Sequence, residues 1–131
     1  KMKKFICVIV ILAIMLGAGV AEIIMTGSLF KDINAQLFEV RNTLQENKED
    51  ISSSDVGEMM KKIMDKWNKS KNYALMFSNH TVIRTLDEKL VSLNAYIECG
   101  EYPDAHAYCE ISIALSEDLI DETYPVLTNL F

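Results

Sequence analysis

The stretch FICVIVILAIMLGAGVAEIIMTGSLFKDINAQLFEVRNTL, residues 5–44, carries two hydrophobic patterns end to end. Phe5 to Ala21 is uncharged and mostly apolar on every side. From Leu29 onward the apolar residues thin to Leu29, Ile33, Leu37, Val40 and Leu44, with Lys31, Asp32, Glu39, Arg41 and Gln45 filling the other side. A run apolar all round suits lipid, and a one-sided stripe at spacings of four and three suits the edge of a protein core. No proline separates them, so the stretch predicts one long helix over about residues 4–48, with Gly27 as a soft point.

The seventeen residues from Phe5 to Ala21 would span roughly 26 Å as a helix, just short of a ~30 Å hydrocarbon layer. Glu22 can sit at the lipid headgroups, and Ile23, Ile24 and Met25 resume the apolar run beyond it. Lys1, Lys3 and Lys4 form a basic start that the positive-inside rule places in the cytoplasm, with the C-terminal portion exported. The division is therefore 1–4 cytoplasmic, 5–25 transmembrane and 26–131 extracytoplasmic, a single-pass signal-anchor. A cleaved secretory signal is the competing reading, with Gly19-Val20-Ala21 as the cleavage site and a secreted product. Continuation of the helical pattern through Leu29 and Phe30 favours the anchor.

The rest of the chain reads as further amphipathic helices. Residues 55–78 carry Val56, Met59, Met60, Ile63, Met64 and Trp67 on one side, with Ser54, Asp55 and Glu58 resembling a reciprocal cap. Residues 80–99 carry Ile83, Leu86, Leu90, Leu93 and Ile97. Gly100 suits the left-handed position that ends a helix, and Pro103 the first turn of the next, over about 103–120. That last helix should bury Ala105, Tyr108, Ser112, Leu115 and Leu119. Pro125 should stop it, leaving an apolar tail, 125–131, packed back on the bundle. No strand-like alternation occurs. The predicted class is all-α, a transmembrane helix continuing into an extracytoplasmic antiparallel four-helix bundle with short connections.

Of 131 residues, 13 are basic and 19 acidic. Removing Lys1, Lys3, Lys4 and Glu22 leaves 10 and 18, a charge of −8 for residues 26–131. That opposes nucleic acid and anionic lipid as partners of the bundle. Five lysines (61, 62, 66, 69 and 71) crowd the second helix, and seven carboxylates with no base lie between Glu101 and Glu122. The two sets read as solvated faces that attract each other within the bundle, in preference to an acidic surface for a cationic partner.

Chemistry-bearing residues are few. His80 marks the junction of the second and third helices, where a histidine at a helix start satisfies backbone groups. His106 and Cys109, three apart, with Cys99 across the turn, make a weak three-ligand pattern, since metal sites usually show tighter paired spacing. Cys99 and Cys109 read better as two buried thiols than as a disulfide. Met59, Met60 and Trp67 form either a flexible binding surface or core filler. Glu117, Asp118, Asp121 and Glu122 lack the central glycine of a calcium loop. No phosphate loop, nucleophile elbow or zinc-peptidase motif is present, so neither a catalytic residue nor a cofactor is assigned and the chain does not read as an enzyme. A binding or scaffolding module engaging another membrane or envelope protein is the first functional reading. A ligand-sensing bundle of the cell envelope is the second.

Several short pieces also point to a family. They are Trp67, Tyr73-Ala74-Leu75-Met76-Phe77-Ser78-Asn79-His80, Tyr96-Ile97-Glu98-Cys99-Gly100 and the closing Thr128-Asn129-Leu130-Phe131. With the basic start and anchor, they make the whole chain resemble the uncharacterised domain-of-unknown-function family 4363, small single-pass membrane proteins of Gram-positive bacteria. Where that family tends to carry His-Ile-Pro near the end of its last helix, this chain has Asp118-Leu119-Ile120. The resemblance implies the anchor and the helical fold, and no activity.

Overall fold

A computed structural model describes residues 1–130, and the side chains of all of them other than Phe77 and residues 124–130. Four helices follow one another: α1 over Met2–Glu46, α2 over Val56–Phe77, α3 over His80–Glu98 and α4 over Tyr102–Leu130, with a 3-10 turn at Ile51–Ser53. Among the described residues there is no strand. α1 is continuous through Gly27, so the two hydrophobic patterns share one rod.

Side-chain contacts fix the packing. Lys66 of α2 meets Asp32 of α1 at 2.7 Å, and Thr43 Oγ1 of α1 donates to Met59 Sδ at 3.5 Å, so α1 and α2 run antiparallel. Asn34 pairs with Ser116, Arg41 with Glu110 and Gln45 with His106, so α1 and α4 are antiparallel as well. α1 borders α2 and α4, and α3 borders the same two, which makes α1/α3 and α2/α4 the diagonals of an up-down-up-down bundle.

The core grows from the stripes that the sequence displays. Phe30, Ile33, Leu37, Val40 and Leu44 of α1 are buried, as are Ile83, Leu86, Leu90, Leu93 and Ile97 of α3. Met60, Ile63, Trp67 and Ala74 complete it from α2. α4 differs from expectation. Its buried face carries Ala105, Cys109, Ser112, Ile113, Ser116 and Leu119, while Tyr108 and Leu115 are half-buried at its edge. The helix is turned so that Cys109 and Ser116 face α1. Partners satisfy the polar ones: Ser112 Oγ donates to the Tyr108 carbonyl of its own helix at 2.7 Å, and across to α1 Asn34 Nδ2 donates to Ser116 Oγ at 2.8 Å and Cys109 Sγ to the Leu37 carbonyl at 3.4 Å.

The helix ends show which local signals act. Asn79 Oδ1 accepts from the amides of Thr81 (3.0 Å) and Val82 (3.4 Å), capping α3. Gly100, at φ +72°, closes α3 by donating to the Ile97 carbonyl while Glu101 donates to that of Tyr96, the paired bonds of a left-handed helix stop. The reciprocal cap expected at α2 does not form. Asp55 makes no capping bond, and Ser54 Oγ accepts from the Val56 amide instead. Nor does Pro125 end α4, which continues to Leu130. The expected packing of tail side chains 125–131 falls outside the described residues.

Candidate functional site

The residues singled out in the sequence do not converge. His80 is the first residue of α3 and exposed, and the capping role expected there belongs to its neighbour Asn79. Met60 and Trp67 are fully buried, and Met59 is half-buried against the core, which removes this trio as a binding surface. Their spacing fits a core stripe as well as a groove, and the helices on either side of α2 close over it. Trp67 is held by more than packing: its indole N–H donates to Asp87 Oδ1 at 2.8 Å, and Lys71 Nζ reaches the same oxygen at 3.4 Å. A buried indole generally needs such an acceptor.

The His106, Cys109 and Cys99 pattern is also dispersed. Cys109 is buried against α1, and its thiol is pushed up to about 12 from the ordinary 9.0, chiefly by burial and secondarily by the Glu110 carboxylate. His106 lies on the rim beside it. Its Nε2 is 3.3 Å from Gln45 Nε2 and 3.8 Å from Glu110 Oε1, and Tyr102 lies 5.6 Å away, ring to ring. Cys99 is exposed, not buried as expected, since it is the capping residue beyond the last turn of α3. Among the described residues, no three His, Cys, Asp or Glu side chains gather as a metal would require.

What the structure does assemble is a polar seam between α1 and α4. From the middle of the bundle to its end it runs Asn34–Ser116, Leu37 carbonyl–Cys109, Arg41–Glu110 and Gln45–His106. The sequence hints at it only through the inward Ser112 and the position of Cys109. The lysines of α2 and the carboxylates of α4 do not attract each other as expected, because those helices are diagonal. Lys66 pairs with Asp32 of α1 and Lys71 with Asp87 of α3. Surface hollows border the α1–α2 connection at Gln45–Ser53 and the crevice between Val56 and Ile97. Both are open to solvent.

The sharpest division in the molecule lies along α1. An 18-residue window in it is long and apolar enough to cross a membrane, and none of that window is buried against the rest of the chain. Beyond it, Thr26, Gly27, Leu29 and Phe30 begin the buried stripe. No curated protein and no solved structure matches the chain. The family model described as Domain of unknown function (DUF4363) matches residues 24–130, a span that starts where α1 begins to be covered and takes in the whole bundle. With all but its N-terminal segment and last residue matched, the chain belongs to the DUF4363 family.

Proposed function

We propose that this protein is a membrane-anchored helical module, anchor first, whose bundle lies outside the cytoplasm and binds or scaffolds an envelope or membrane protein. The observation that carries the reading is the change of environment along α1: exposed apolar residues all round up to Leu16, then a core stripe from Leu29 to Leu44 on the same helix. Lys1, Lys3 and Lys4 before the apolar run set the orientation. In this reading the chain is not an enzyme and takes no cofactor. Its work is done by exposed faces of the bundle, among them Val91 of α3 and Ile111 of α4.

Cys99 supplies the test. It is exposed on the bundle, whereas Cys109 is buried and Cys7 lies in the apolar run. A membrane-impermeant maleimide applied to intact cells should label Cys99, with a Cys99→Ser variant as the blank. Labelling only after lysis would contradict the orientation. For the partner, a photo-crosslinking residue at Val91 or Ile111 should give a discrete adduct in intact membranes. The same adduct from an unrelated anchored bundle, or none at all, would sink the binding role.

A further inference from the structure

Beyond residue 16, the large apolar side chains that stay exposed are Ile24, Met25, Met76, Val91 and Ile111 among the described residues. Three of them share one level. Stepping ten residues from the Lys66–Asp32 pair, forward along α2 and back along α1, brings Met76 level with Glu22. Stepping from the Met59–Thr43 contact brings it level with about residue 26. At ~1.5 Å per residue, Met76 therefore stands within about 8 Å of the level of Ala21, where the apolar run of α1 ends. Ile24 (54 % exposed) and Met25 (63 %) occupy the same level on α1, and Met76 is 73 % exposed.

Charge marks the α2–α3 turn itself. From Lys66 to Leu86, through the α2–α3 turn, the sequence contains Lys66, Lys69, Lys71 and Arg84 and no carboxylate. Lys66 and Lys71 are tied to Asp32 and Asp87, while Lys69 and Arg84 are exposed. The carboxylate cluster Glu117, Asp118, Asp121 and Glu122 lies on α4, diagonal to α2 and beside α3. An acid-free hairpin tip with an exposed methionine, level with the end of a membrane helix, has the chemistry of the lipid–water interface, where apolar tips enter and basic heads stay at the phosphates.

We propose that the α2–α3 turn is a lipid-contact surface: Met76, with Ile24 and Met25, enters the headgroup layer, and Lys69 and Arg84 face the lipid phosphates. The proposal rests on α1 crossing the membrane and adds that the bundle stands directly on the bilayer, with the α1–α2 and α3–α4 connections at its far end. Net charge argues against contact with anionic lipid, and Asp118, Asp121 and Glu122 lie towards the same end on α4, so the contact rests on the local charge of the turn and on its exposed methionine.

The test uses the full chain with Cys7→Ser and Cys99→Ser, leaving the buried Cys109 in place, in vesicles of phosphatidylcholine and phosphatidylglycerol. Single cysteines replace Val10, Met76 or the far-end Ser52, and each carries a bimane label. Nitroxides on lipid headgroups should quench the label at position 76 at least threefold more than that at 52, and acyl-chain nitroxides should quench the label at 10. Equal quenching at 76 and 52, with 10 still quenched, overturns the lipid contact and leaves the anchor standing. An unquenched label at 10 overturns the anchor reading and the contact with it.

Discussion

Cys109 and Trp67 are the side chains on which burial has the clearest chemical consequence. The Cys109 thiol titrates near 12 in the folded chain against 9.0 when solvated, because burial disfavours the thiolate. A raised folded-state value means that the folded form holds its proton more tightly. This contribution to stability is complete below about pH 9 and is lost as the pH rises towards 12, reaching about 2 kcal/mol by about pH 10.5. Denaturant unfolding at pH 8 and pH 10.5 should show that loss, and Cys109→Ala should flatten it by a similar amount. An identical pH slope in both proteins would show that the thiol is not linked to folding. Trp67→Ala should cost about 3–5 kcal/mol as a core truncation. Trp67→Phe keeps most of the volume but strands Asp87, which Lys71 and solvent partly satisfy, so a loss of about 1–2 kcal/mol is expected. Both are read from urea midpoints. Trp67 also marks the limit of pattern reading at this scale. Its spacing places it on the apolar face of α2, but whether that face is covered depends on α1 and α3, which lie far away in sequence.

At the level of elements, the stops and the stripes behave differently. α3 is written in full in its own residues, from the Asn79 cap through five buried apolar positions to Gly100. Gly100→Ala should destabilise by about 1–2 kcal/mol, since its φ of +72° is a region that a Cβ disfavours. That Cβ would also meet Ser52 Oγ at 2.9 Å. Ser52 is an exposed hydroxyl that can rotate away, so adding Ser52→Ala should recover little of the loss in thermal unfolding. Full recovery would place the strain in the contact and not in the backbone. α4 is the element whose sequence misleads. Leu115 outranks Ser116 in hydrophobicity, yet Ser116 is the buried one, with Asn34 of α1 as its partner. Pro125 reads as a terminator by a local rule, yet α4 continues to Leu130.

For the whole molecule, the four-helix architecture follows from stripe periodicity and short connections, and these are legible in the sequence. The order of neighbours is not. It disperses His80, His106 and Cys99, places Met60 and Trp67 inside, and sets the lysines of α2 diagonal to the carboxylates of α4. The DUF4363 match begins at residue 24, where the buried stripe takes over from the exposed apolar run. A chain of residues 24–131 should therefore fold without the preceding segment, with helical circular dichroism and a cooperative thermal transition. A molten, non-cooperative chain would mean that the exposed segment is needed for the bundle. The central claim is that a single uncut helix serves as anchor and as first bundle helix. Membranes washed with alkaline carbonate and digested for peptide mass mapping test it most directly. The protein should stay in the pellet and yield a peptide spanning the Ala21–Glu22 bond. A protein released by the wash, with a new N-terminus at Glu22, would contradict it.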